Sequence, residues 1–189
     1  SLTNCVNLKE INFVDDGTII KRFCFQGSGL EGIILPSRLE MIPMIAFSVC
    51  EQLETVNIPQ SVTSIESYAF EWCTSLVSLE LPNNIESIDA GAFRECRSLE
   101  KIIIYDKCTL IYDDAFNGCD FSGVLKLPVN IASIGNRAFA GNWRLMGVVE
   151  FPDGLQTIGS DAFSNCYSLE GLIIPESIEN IQSNAFNEC

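Results

Sequence analysis

The chain has 189 residues, 47% of them hydrophobic, and sets 11 basic against 25 acidic side chains for a formal net charge of −14. A balance this acidic opposes binding to nucleic acid or anionic membranes, which need a positive face, and its simplest consequence is solubility. The chain has no histidine, which rules out Ser-His-Asp and Cys-His catalysis, and no apolar run reaches the ~18 residues of a membrane span.

The first 29 residues read as worn copies of a unit that becomes explicit from Leu30 onward. Ser1-Leu2 and Cys24-Phe25 stand where later units have Ala-Phe, Cys5 lies three residues after Leu2, and Ile20 lies six after Val14, which holds a proline slot. The turn Asp15-Asp16-Gly17, between Ile11-Asn12-Phe13 and Thr18-Ile19-Ile20, predicts a local hairpin. Gly27-Ser28-Gly29 is a turn between units, not a nucleophile elbow.

The unit is clearest from Leu76 to Cys96, read as Leu-x-x-Leu-x-Leu-Pro-x-x-Ile-x-x-Ile-x-x-x-Ala-Phe-x-x-Cys. Its Ala-Phe pair recurs with Phe47, Phe70, Phe93, Phe116, Phe139, Phe163 and Phe186, in steps of 23, 23, 23, 23, 24 and 23 residues. A fixed period of this size signals a solenoid. Each unit opens with a strand: Leu53, Val56 and Ile58 take the inward positions while Thr55 and Asn57 point out. Pro59 ends it, because proline cannot donate to a ladder. Val62, Ile65, Ala69 and Phe70 then follow at spacings of three and four, which predicts a short helical or 3-10 turn. The expected fold is therefore an α/β repeat solenoid, with a parallel β-sheet on one face, helical or 3-10 turns opposite, and the phenylalanines stacked as a spine. Residues 1–189 form one domain in this reading, with 1–29 degenerate and 30–189 making seven regular repeats. Cys189 is itself a slot residue and no polar capping face follows Phe186, so a longer protein is expected.

Seven of the nine cysteines occupy one slot: Cys5, Cys50, Cys73, Cys96, Cys119, Cys166 and Cys189. Cys24 sits in the alanine slot and Cys108 in an aliphatic one. All nine are thus placed by the repeat, as small buried hydrophobes with a weak donor. Asn142 takes the cysteine slot once, which suggests that the slot satisfies a backbone partner. Disulfides are the second reading, since in-register neighbours stand roughly 5 Å apart, but parallel side chains do not point toward one another. A metal site is not expected from a single file of thiols. The acidic doublets Asp15-Asp16 and Asp113-Asp114 could hold calcium weakly, although solvated turn acids are the preferred reading. No glycine-rich phosphate loop is present, so no cofactor is expected. Glu54, Glu100 and Glu170 each follow the first leucine of a unit, and their recurrence is architectural.

The outward strand positions are the natural contact rows of such a solenoid. One row reads Glu10, Gly32, Thr55, Ser78, Lys101, Gly123, Gly147, Gly171. The next reads Asn12, Ile34, Asn57, Glu80, Ile103, then Leu125 or Lys126, Val149 or Glu150, and Ile173. Glycine leaves room for another backbone, and exposed aliphatics mark contact sites. The candidate partner-binding set is Gly123, Gly147, Val149, Gly171 and Ile173, with Ile103 and Ile34. Trp72, Trp143 and Tyr167, beside the cysteine slot, are the second candidate set.

Across residues 5 to 189 this pattern resembles the BspA-type leucine-rich repeat, a 23-residue class. Tyr105 in place of proline, Asn142 in place of cysteine, and one extra strand residue near Leu125 and near Val149 depart from it. The resemblance implies a right-handed superhelix and a non-enzymatic protein-interaction module at the surface of a bacterium or protist. The implied partner is a host extracellular or bacterial surface protein, bound in adhesion. A spacer presenting another domain is the alternative function, and a cytoplasmic scaffold the alternative location, since unpaired cysteines suit a reducing milieu.

Overall fold

The computed structural model describes residues 1–14 and 17–189. Each unit closes one coil and hands the chain to the next, so a residue's main neighbours are its counterparts one period away. The first half of the chain carries β1 (Gly32–Ile34), β2 (Met41–Ile42), β3 (Thr55–Asn57), β4 (Ser64–Ile65), β5 (Ser78–Glu80) and β6 (Ser87–Ile88). The second half carries β7 (Lys101–Ile103), β8 (Leu110–Ile111), β9 (Ser133–Ile134), β10 (Gly147–Glu150), β11 (Thr157–Ile158), β12 (Leu169–Ile173) and β13 (Asn180–Ile181).

The strands that open each unit pair in parallel, one period apart: Gly32 faces Thr55 in β1–β3, and Ser78 faces Lys101 in β5–β7. With β10–β12 they make three separate two-stranded sheets. The unbroken sheet lies elsewhere. It has seven two-residue strands, β2, β4, β6, β8, β9, β11 and β13, built on the isoleucine six residues after each proline slot. Ile42, Ile65, Ile88, Ile111, Ile134, Ile158 and Ile181 run along it in register.

The expected helical or 3-10 turn is corrected by the structure: no helix occurs among the described residues. The Ala-Phe stretch is instead a run of turns whose amides alternate between two partners. Ile45, Phe47 and Val49 donate to Ser67, Ala69 and Glu71 of the next coil at 3.1, 2.8 and 2.7 Å. Ala46, Ser48 and Cys50 donate back along the chain to Pro43, Ile45 and Phe47. The physical reason is a left-handed residue on either side of each Ala-Phe pair, such as Ile45 and Val49 (φ 59 and 61) or Tyr68 and Trp72 (φ 58 and 60). A helix cannot run through such residues, because every amide of a helix bonds along its own axis. Spacings of three and four arise here from turns repeated across coils.

A β-branched residue in the left-handed region is strained. Val49 holds φ 61 with an exposed side chain. Replacing it with asparagine, which tolerates this conformation, should raise the unfolding free energy by about 1 kcal/mol. Urea denaturation of Val49→Asn beside the wild type measures it.

Inside the coils, Phe25, Phe47, Phe70, Phe93, Phe116, Phe139, Phe163 and Phe186 stack with ring centroids 5.1–5.5 Å apart. Beside this spine runs a file of thiols, and all nine cysteines are free. Cys50, Cys73, Cys96, Cys119, Cys166 and Cys189 donate Sγ–H to a phenylalanine carbonyl of the preceding coil at 3.0–3.3 Å. Burial pushes the Cys108 thiol up to about 11 and that of Cys166 to about 12. The thiolate, which is the reactive form, is therefore suppressed. The hairpin turn expected at Asp15-Asp16 lies outside the described residues, and residues 11–13 and 18–20 form no strand.

Candidate partner-binding face

The outward rows meet two irregular coils in the C-terminal half. From Phe121 to Pro128 and from Leu145 to Pro152 the strand segment is one residue longer than its counterpart from Leu99 to Tyr105. Both extra residues are taken up at glycines. Gly123 bridges to Leu145 with φ 86, and Gly147 has φ 77 where the β10–β12 register shifts. Only glycine enters that region freely.

An added residue reverses the alternation of side chains, because the strand period is two. This corrects one candidate. Val149 is 0% exposed and belongs to the core, while Val148 beside it is 39% exposed. Leu125 is buried in the same way, and Val124 is 58% exposed. Ile103 and Ile173 are exposed as expected. The expected file of glycines is corrected too: Gly123, Gly147 and Gly171 pair with Leu145, Leu169 and Val148 rather than with one another, and the preceding coil's own side chains use the space beside two of the three. A Cβ built on Gly147 would stand 3.0 Å from Val124 Cγ2, and one on Gly171 would stand 3.5 Å from Val148 Cγ2. The outward strip is thus Ile103, Val124, Met146, Val148 and Ile173. Ile34 is exposed but is not brought to it, since Asn57 and Glu80 occupy the intervening coils of its row. Val124, Met146 and Val148 escaped the sequence reading. The signal for them was the glycine at each lengthened strand, which marks a bulge.

The chain matches the model of the BspA type leucine rich repeat region in 6 copies, over residues 1–122 and 123–189. It belongs to that family. A leucine-rich repeat protein from Eubacterium ventriosum is similar in structure, at TM-score 0.73 and 25% identity over 86% of this chain and 44% of that one. A T. pallidum leucine rich repeat protein gives TM-score 0.56 and 25% identity over 83% of this chain and 63% of that one. A leucine rich cell surface protein from Faecalibacterium prausnitzii gives 0.55 and 23%, over 99% and 66%. This BspA-type segment therefore spans less than two thirds of the first two of those proteins. No curated protein matches it in sequence.

In this BspA-type chain an aromatic edge borders the strip. Trp143 and Tyr167 are both exposed. The Trp143 Nε1–H donates to Asp120 Oδ1 at 2.7 Å, and Arg144 donates to Asp120 Oδ2 at 2.6 Å. The Tyr167 hydroxyl donates to Asn165 Oδ1 at 3.0 Å. Trp72 is set apart from them, with Arg97 held 4.6 Å above its ring. Trp143 stands three residues before Met146 on one coil and extends the apolar strip toward that edge.

The acids of the Asp113-Asp114 doublet are committed to the neighbouring coil. Asp113 accepts from the Asn136 amide at 2.7 Å and from its Nδ2 at 3.1 Å. Asp114 accepts from Arg137 at 2.8 and 2.7 Å and from Asn117 at 2.7 Å. No group of three or more metal-ligating side chains occurs among the described residues, and Asp15-Asp16 lies outside them. Burial raises the Asp114 pKa, but the hydrogen bonds and charge of Arg137 outweigh it, and the carboxyl is held below its usual value. A depressed carboxylate contributes stability above its unfolded pKa and loses it as pH falls through the folded one. Asp114→Asn keeps the left-handed backbone (φ 57) and removes only the charge. With Arg137 largely in solvent, the expected cost is under about 1 kcal/mol at neutral pH. Denaturation from pH 7 to 2 should show the two proteins converging at the acid end.

Proposed function

We propose that this segment is a non-enzymatic protein-interaction module that binds a protein partner through its C-terminal strand face. The observation that carries the reading is the strip Ile103, Val124, Met146, Val148 and Ile173, outward and apolar on the strand face of a chain of net charge −14. Contiguous exposed apolar side chains mark interaction surfaces, and Trp143 at the border is of a type enriched in binding hot spots. Action at the cell surface or after secretion, against a host extracellular or bacterial surface protein, fits the resemblance to a bacterial protein described as a cell surface protein.

Met146→Asp and Ile173→Asp place a charge in the middle and at the C-terminal end of the strip without touching the spine. Each should weaken capture of a partner purified on the wild-type protein more than tenfold, with thermal stability near wild type. Intact capture by both variants would instead identify a spacer, which tolerates change on this face.

A further inference from the structure

Between β7 and β10 the strand face loses its main-chain pairing. Every other long strand keeps a ladder partner on at least one side: β1 with β3, β5 with β7, β10 with β12. The intervening segment 124–127 has none. Ser122 still donates to Glu100 of the preceding coil, and Gly123 still accepts from Met146 of the next. Beyond them, no backbone hydrogen bond to Val124, Leu125, Lys126 or Leu127 exists among the described residues. Elsewhere this coil keeps ties to both neighbours. Phe116 and Gly118 bond the next coil at 2.8 Å, and Ala132 bonds Thr109 of the preceding one at 2.9 Å. Its side chains nevertheless alternate as those of a strand do: Val124 is exposed, Leu125 buried, Lys126 exposed and Leu127 half-buried.

A cleft of about 560 Å³ runs alongside, between this segment and β7. That is the size of a ligand site. Its walls include Ile102, Ile103, Val124, Leu125 and Leu127, and its charges balance, with Glu100 and Asp106 against Lys101 and Lys126. A Cβ built on Gly123 would meet nothing within 4 Å, so the space at the segment's start is open.

We propose that the cleft takes an extended peptide strand of the partner, which completes the hydrogen bonding of residues 124–127. Strand addition to an unpaired edge draws affinity from the main chain and specificity from alternate side chains. An apolar side chain at every second position suits the walls, and basic flanks suit a protein of net charge −14. This deepens the proposed function, resting on the same face and naming the form in which the partner binds.

The probe is a blocked peptide, Lys-Val-Thr-Val-Thr-Val-Lys, with two versions N-methylated on alternate amides. Successive amides of a strand point to opposite edges, so each version blocks one edge. The expected result is slowing of amide hydrogen exchange within residues 124–127 by tenfold or more. One N-methylated version should bind at least tenfold more weakly than the other. No protection of these amides at saturating peptide, or equal binding by the two versions, overturns the proposal. The two readings separate on Met146→Asp. If it abolishes partner capture while residues 124–127 of the wild type stay unprotected by peptide and by captured partner alike, the face binds but not by strand addition. If capture is unaffected as well, both readings fall.

Discussion

Phe93→Ala should lower the unfolding free energy by about 3–5 kcal/mol, a large part of what holds a domain of this size together. Phe93 is fully buried and stacks between Phe70 and Phe116, each 5.4 Å away with planes inclined by 5° and 3°. A coil has no core of its own. Its stability is its interface with two neighbours, and removing a central ring weakens both interfaces at once. Phe186 gives the contrast, being half-buried and stacked on Phe163. Phe186→Ala should therefore cost about half as much or less. Urea denaturation of both variants checks the ranking. Equal losses at the two positions would contradict a spine built from neighbour contacts.

Asn142→Leu should cost about 2–5 kcal/mol although it adds apolar bulk to a buried site. Asn142 is 0% exposed and satisfies three backbone groups. Its Nδ2 donates to Phe116 O at 2.9 Å and to Phe139 O at 2.8 Å, and its Oδ1 accepts from the Phe121 amide at 3.3 Å. The need for that acceptor is traceable. Elsewhere the residue three after the cysteine slot donates back to it, as Leu53 does to Cys50, Leu76 to Cys73 and Leu99 to Cys96. Phe121 comes only two residues after Cys119 and makes no such bond. A thiol can serve the Phe116 carbonyl, as thiols do in the other coils, but it is a weak acceptor. Asn142→Cys should therefore fall between the wild type and Asn142→Leu. Denaturation midpoints of the three proteins test the order, and a cysteine variant as weak as the leucine one would refute this account of Phe121.

Two departures from the repeat, the asparagine at 142 and the lengthened strand after Phe121, thus have one cause. In sequence they stood as separate irregularities. The parts that read correctly are those in which each slot meets its own copy in the next coil. The Ala-Phe pair gave the spine, the cysteine slot gave the thiol file, and the outward positions of Ile103 and Ile173 followed from regular alternation. The parts that misread are those in which the chain breaks phase. Val149 and Val148 are chemically the same residue, and nothing in their order tells which faces the core. The three-and-four spacing of Val62, Ile65, Ala69 and Phe70 fits a helix as well as a turn run, and only the left-handed residues beside Ala-Phe separate the two.

What the sequence determined by itself was the period, the coil and the contents of its interior, because hydrophobic burial needs only a fixed spacing to place like side chains on like. Tertiary structure alone decided which valines face solvent, where the ladder lapses and why Asn142 is polar. Each of these depends on where one extra residue is absorbed. That is settled by the backbone angles of Gly123 and Gly147 and by the hydrogen bonds of the adjacent coils, neither of which is written in a single unit of the repeat.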